Sequence, residues 1–221
     1  MTTLATQLQT NIECWVEGLR SRTRLGALAR QGELPPRAVA LYLESLRFLL
    51  RNSQLNLEVA SAASKKLGDF ELADYFSRKA GEEKGHELWA LDDLSRLPEA
   101  VTSGLRPSPA IVSLVEWQRN LIAQHPVCFV AYALWAEYFT VLVGDEWLDG
   151  LAASGFERGQ ISSITKHLLA DREHAARGFA EIDQLWRGQP DASVLLAGVE
   201  RAGQIFEHFC DEICGEAVRA A

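Results

Sequence analysis

An all-α bundle of about seven helices is the fold this sequence predicts, and two observations predict it. Apolar residues recur at spacings of three and four along almost the whole chain, the period of an amphipathic helix. No run of alternating β-branched residues lies between turn signals, as a half-buried strand would require. The 221 residues, 48% of them hydrophobic, are enough to build one sizeable core. No internal repeat or low-complexity tract divides them, so residues 1–221 read as a single domain.

Each helix has its own signal. The first covers about residues 4 to 24. The second is announced by "GELPPRAVALYLESLRFLL", whose paired prolines sit in the first turn, where a missing N–H costs nothing, and it runs to about Leu67. A third, from about Phe70 to Leu97, ends before the turn-rich linker "PEAVTSGLRPSP". "SPAIVSLVEWQRNLIA" opens the fourth. The fifth follows His125 and Pro126, and its near-continuous apolar character is that of a central helix covered on most sides. A sixth runs from after Gly159 to Trp186, and "RGQPDAS" separates it from a last helix over about 192–218.

Bulk chemistry narrows the function. Thirty acidic residues against 22 basic ones give a formal charge of -8 with no local basic patch, which disfavours nucleic acid and anionic lipid as partners. The N-terminus has no basic leader followed by an apolar run, and no stretch elsewhere reads as long enough to span a bilayer, so a cytoplasmic protein is expected. A homodimer is left open. Cys14, Cys128, Cys210 and Cys214 lack the spacing of a disulfide framework or a zinc ribbon, and Cys210 and Cys214, one turn apart, suit two small buried side chains.

Three sets of polar residues break the core pattern. In "KHLLADREHAARGF", His167, Asp171 and His174 fall at positions 0, +4 and +7. At about 100° per residue they lie within roughly 60° of arc, so all three point at one line in space. In the third helix Glu83 and His86 form a Glu-x-x-His pair, whose i, i+3 spacing puts both on one face; Glu82, four residues before His86, serves almost as well. Glu137 stands among Leu134, Trp135, Phe139 and Val141, where a carboxylate needs a partner because an unpaired buried charge costs several kcal/mol. Each set also has a plainer reading as a surface ion pair or a satisfied core group. Together they offer three imidazoles and three carboxylates with no thiolate. That donor set is too large for one catalytic zinc and suits two iron or manganese ions, while the histidines disfavour calcium. Tyr132, Trp135 and Tyr138 either wall a cavity or are core, and Arg47 and Arg51 either receive a substrate carboxylate or pair with Glu44.

On "EEKGH" followed by "LWALDDL", on Glu137, and on His-x3-Asp-x2-His in that order, the chain resembles the heme-oxygenase-like diiron oxidases and oxygenases. They belong to the superfamily that also holds thiaminase II and pyrroloquinoline quinone synthase, and the resemblance covers nearly the whole chain. It implies a heme-oxygenase-like helical domain in which Glu83, His86, Glu137, His167, Asp171 and His174 bind two irons, with the choice between Glu83 and Glu82 open. It further implies Fe2+ (manganese being the alternative) and O2 as co-substrate. The expected substrate is a small molecule of amino acid, amine or fatty acid type, oxidised in a biosynthetic pathway. Self-sacrificing members use a tyrosine and a lysine at places that correspond here to the neighbourhoods of Gly26 and Trp147, which argues for an external substrate.

Two alternatives follow from the same superfamily. A metal-free hydrolase like thiaminase II would use a cysteine, for which Cys128 is the candidate, but that leaves the His167, Asp171, His174 triple unexplained. A non-catalytic metal-binding protein would use the ligands without turnover. A heme oxygenase needs a proximal histidine in its first helix, and none occurs before His86.

Overall fold

The computed structural model describes residues 2–219. Among them are ten α-helices and no strand: α1 (Leu4–Arg22), α2 (Arg24–Gln31), α3 (Pro36–Lys66), α4 (Phe70–Glu82), α5 (Glu87–Ser95), α6 (Glu99–Thr102), α7 (Pro109–Gln124), α8 (Pro126–Ala153), α9 (Ser162–Trp186) and α10 (Ala192–Arg219). The seven expected segments are there, and two added short helices, α2 and α6, and one break raise the number. Thr23 stops α1 in an extended conformation and caps α2, its hydroxyl accepting from the Gly26 N–H at 3.3 Å. The linker folds one short turn, α6. The expected third helix is interrupted over residues 83–86, where Gly85 takes φ +87°, a left-handed conformation that glycine adopts without steric cost.

The prolines predicted the starts well. Pro36, Pro109 and Pro126 each occupy the first helical position of α3, α7 and α8. Other starts depend on distant residues. Asp183 on α9 accepts from the N–H groups of Leu4 (2.8 Å) and Ala5 (3.3 Å) at the start of α1. Glu212 on α10 accepts from Ala110 N–H at 3.0 Å at the start of α7. Asp93 on α5 caps α9, whose own N-cap, Ile161, has no side-chain hydrogen bond to offer. A carboxylate at a helix N-terminus satisfies orphan donors and complements the macrodipole. When it comes from another helix, it also fixes how the two helices sit against each other.

α8 is the central element, packed against α1, α2, α3, α7, α9 and α10. It also corrects one expectation, because its length and composition are those of a membrane-crossing helix. The physical reason is its position. More than half of its most apolar 18-residue window is buried inside the bundle, so apolar residues on most of its faces meet protein. All four cysteines are free, and Cys128, Cys210 and Cys214 are buried.

α8 and α2 approach so closely that only hydrogen fits between them at Gly150. A Cβ there would lie 2.7 Å from the Ala29 carbonyl oxygen and 3.0 Å from its carbonyl carbon, and backbone cannot step aside as a side-chain tip can. Gly150→Ala gains about 1 kcal/mol of helix propensity but must push α2 away. The expected net result is a loss of about 1–2 kcal/mol, measurable as a lower melting temperature. An unchanged or higher melting temperature would show that α2 is free to move.

Candidate metal centre

The interruption between α4 and α5 shapes the first part of the site. Glu83 ends α4 and His86 begins α5, so the pair meets across a turn and not along a helical face as expected. The His86 Nδ1 atom lies 3.1 Å from Glu83 Oε2. The His86 ring stacks on Trp89 at 4.0 Å, and His167 stands edge-on to both rings, at 5.0 and 5.1 Å. Trp89 thus steadies an imidazole from each of two helices.

His167 is held in one tautomer. Its Nδ1 lies 2.8 Å from the Ser163 carbonyl oxygen, which can only accept, so Nδ1 carries the hydrogen and Nε2 presents a lone pair. Burial favours the neutral ring and holds its pKa below the ordinary value, although the negative charge of Asp171 raises it. Nε2 is buried and has no hydrogen-bond partner among the described residues. A neutral imidazole with one nitrogen anchored and the other free is the form that ligates a metal.

His174 lies seven residues, about two turns, further along α9. Its Nδ1 is 3.6 Å from Asp171 Oδ1 and 4.0 Å from Glu137 Oε1, and it too lacks a hydrogen-bond partner. Asp171 is the main cause of a raised His174 pKa. Glu137 is buried, as its neighbours implied, and burial pushes its carboxyl up to about 7 against the attraction of Lys79. Its Oε1 accepts from Lys79 Nζ at 2.5 Å, while Oε2 is unpartnered. The Glu83 carboxyl goes the other way. Burial raises it, but the hydrogen bond and charge of His86, with the charges of His167 and Lys79, bring it below the ordinary value.

These side chains make two groups that share one residue. Glu83, His86 and His167 offer donor atoms all within 4.8 Å of one another, and so do Glu83, Glu137 and His174. Five of the six expected residues therefore converge. Asp171 stands beside them, buried and 3.6 Å from His174, but outside both groups. Glu82 is in neither. Its Oε1 pairs with Arg177 at 2.6 Å, and its Oε2 lies 3.6 Å from His174 Nε2. The orphaned nitrogens and carboxylate oxygens form a donor set, without a thiolate, that could hold a metal ion.

Two residues escaped the sequence reading. Trp89 is one helical turn beyond His86, and aromatic residues at that spacing are ordinary core. Lys79 had a stronger signal: Lys79, Glu83 and His86 follow the same 0, +4, +7 spacing as His167, Asp171 and His174.

The centre opens on a cavity of about 1050 Å³, part of it open to solvent, whose walls include Leu50, Phe129, Tyr132, Trp135 and Phe206 beside Lys79, Glu83, Glu137, His167 and Asp171. Tyr132 and Trp135 thus do line a cavity. Tyr138 instead donates to Glu13 on α1 at 2.6 Å. Arg47 makes two 2.7 Å bonds to Glu44, so it is an ion-pair residue. A second apolar cavity, lined by Gly26 and Trp147 among others, shares Tyr42, Phe139 and Phe206 with the first.

No protein-family model matches the chain, and no curated protein matches it. Among solved structures it is similar to a domain of unknown function with a heme oxygenase-like fold from Shewanella denitrificans OS217. That likeness has a TM-score of 0.85 and 20% sequence identity, over 96% of this chain and 92% of the other. The chain therefore has the all-α fold that its helical pattern predicts and the heme oxygenase-like architecture that the resemblance implies.

Proposed function

We propose that this chain is a non-heme oxidase or oxygenase that uses two iron ions, or manganese, with dioxygen to oxidise a small, largely apolar substrate. The observation that carries this reading is the pair of Glu/His groups sharing Glu83 in the wall of a largely apolar cavity. Glu83, His86 and His167 would hold one ion. Glu83, Glu137 and His174 would hold the other, with Asp171 within reach of the same imidazole. When bound, the reduced metal supplies the electrons that dioxygen requires.

The protein's part is geometry and exclusion of water. The Ser163 carbonyl keeps the proton on His167 Nδ1, and Trp89 fixes the planes of His86 and His167. Phe129, Tyr132 and Trp135 form an aromatic wall that keeps the reacting end of the cavity dry and accepts an apolar substrate. The cysteine hydrolase is less well supported. Cys128 lies outside the cavity lining, and burial pushes its thiol up to about 11, leaving only about one molecule in ten thousand as thiolate at neutral pH.

The test is anaerobic loading with ferrous iron, desalting, and exposure to dioxygen. The protein should retain iron through desalting and then consume oxygen faster than the His167→Leu variant treated identically. A folded wild-type protein that retains no iron would overturn this function.

A further inference from the structure

We propose that the Lys79 ammonium occupies the second of the two cation positions, so that the chain holds one divalent ion firmly and admits another only when Lys79 is displaced. The inference rests on the metal-dependent reading above and deepens it.

Lys79 is 1% exposed, rare for a lysine, and its Nζ sits 2.5 Å from Glu137 Oε1 and 3.5 Å from Glu82 Oε2. An ion at the Glu83, Glu137, His174 position would need Glu137, whose Oε1 Lys79 already holds. Unpartnered atoms occur in both groups, His167 Nε2 in the first and Glu137 Oε2 and His174 Nδ1 in the second, but it is the second whose Glu137 the ammonium holds.

Charge balance points the same way. Glu82 pairs with Arg177, which also bonds the exposed Glu173. With all three ionised, as cation binding requires, the remaining buried or nearly buried carboxylates Glu83, Glu137 and Asp171, less the one ammonium of Lys79, leave two negative charges, which a single divalent ion cancels. A second ion added with Lys79 in place would leave two uncompensated positive charges in a site that water barely reaches, where such charge is costly. Lys79 also lines the cavity, so its side chain has room to leave.

The experiment titrates the full-length apo protein with Mn(II) and follows binding by calorimetry and by the electron paramagnetic resonance of the ion. Wild type should bind about one equivalent tightly, with a mononuclear signal, and a second at least tenfold more weakly. Lys79→Met keeps the aliphatic stem and removes the charge, so its second ion should bind at least tenfold tighter than in wild type and give a coupled dinuclear signal. Lys79→Gln, which can still hydrogen-bond Glu137, carries the same expectation and serves if the Met variant is not recovered folded. Lys79→Arg keeps the charge and should titrate like wild type. Two ions of like affinity in wild type, or a second site left weak in both neutral variants, would overturn the role of Lys79 alone. A folded wild type that binds no Mn(II) would instead overturn the metal-dependent reading beneath it.

Discussion

Replacing His167 with leucine should abolish firm metal binding while leaving the metal-free protein at least as stable as wild type. The first half follows from ligand loss. Residues that merely orient a ligand are worth about 10- to 100-fold in metal affinity, so removing one of three side-chain donors should cost more than about 100-fold. The second half follows from burial. His167 Nε2 is a buried polar atom without a partner, and such a group costs about 1–3 kcal/mol. Leucine removes that atom at similar volume and is a better helix former. Its loss of the Nδ1 bond to Ser163 is small, because that carbonyl is already an acceptor within α9. A structural histidine predicts the reverse. If the variant melts well below wild type without metal and binds metal as well as wild type, the His167 site is wrong.

Asp93→Ala should destabilise the protein by about 3 kcal/mol or more and lower its melting temperature by roughly 6–12 °C, at about 2–4 °C per kcal/mol for a chain of this size. Asp93 is fully buried on α5. Its Oδ1 accepts from the Ser162 N–H (3.1 Å) and hydroxyl (2.7 Å), and its Oδ2 accepts from the Ser163 N–H (2.7 Å). Alanine leaves these donors unpaired at the start of a helix that supplies His167, Asp171 and His174. The site should suffer with the fold, because Asp93 joins the helix that follows His86 to the turn that precedes His167. Asp93→Asn, which retains an acceptor, should lose less, about 1–2 kcal/mol. Thermal melts of the two variants decide the matter. A drop of only a degree or two for Asp93→Ala would mean that water or another group caps α9.

The contrast between Asp93 and Asp171 shows how far local pattern reaches. Both are aspartates on amphipathic helices. Asp171 drew notice because it shares a stripe with two histidines, and a stripe is a property of helical geometry alone. Asp93 sits in "LWALDDL", where nothing nearby distinguishes it from Asp92, which pairs with Arg96 at the surface. The same limit explains the break at residues 83–86. The spacing of Glu83, Gly85 and His86 is compatible with a continuous helix, and it is the left-handed Gly85 that turns the chain so that Glu83 can serve both groups. α8 shows it once more. Its apolar run marked a central helix, but the run contains both core residues such as Leu134 and cavity-lining ones such as Ala136 and Phe139.

By itself the sequence determined the all-α class, the starts marked by proline, the alignment of His167, Asp171 and His174, and the need of Glu137 for a partner. Each of these depends on residues within a few turns of one another or on the cost of burying a single charge. Tertiary structure alone decided that Glu83 and not Glu82 belongs to both groups, that Asp171 stands beside them, that Trp89 plates two imidazoles, and that Lys79 lies among the carboxylates. Those outcomes depend on which helices become neighbours and at what register. Whether a polar side chain ends at solvent, at a counter-charge or at a shared centre is set by the surface packed against it, and that surface lies tens of residues away in the chain.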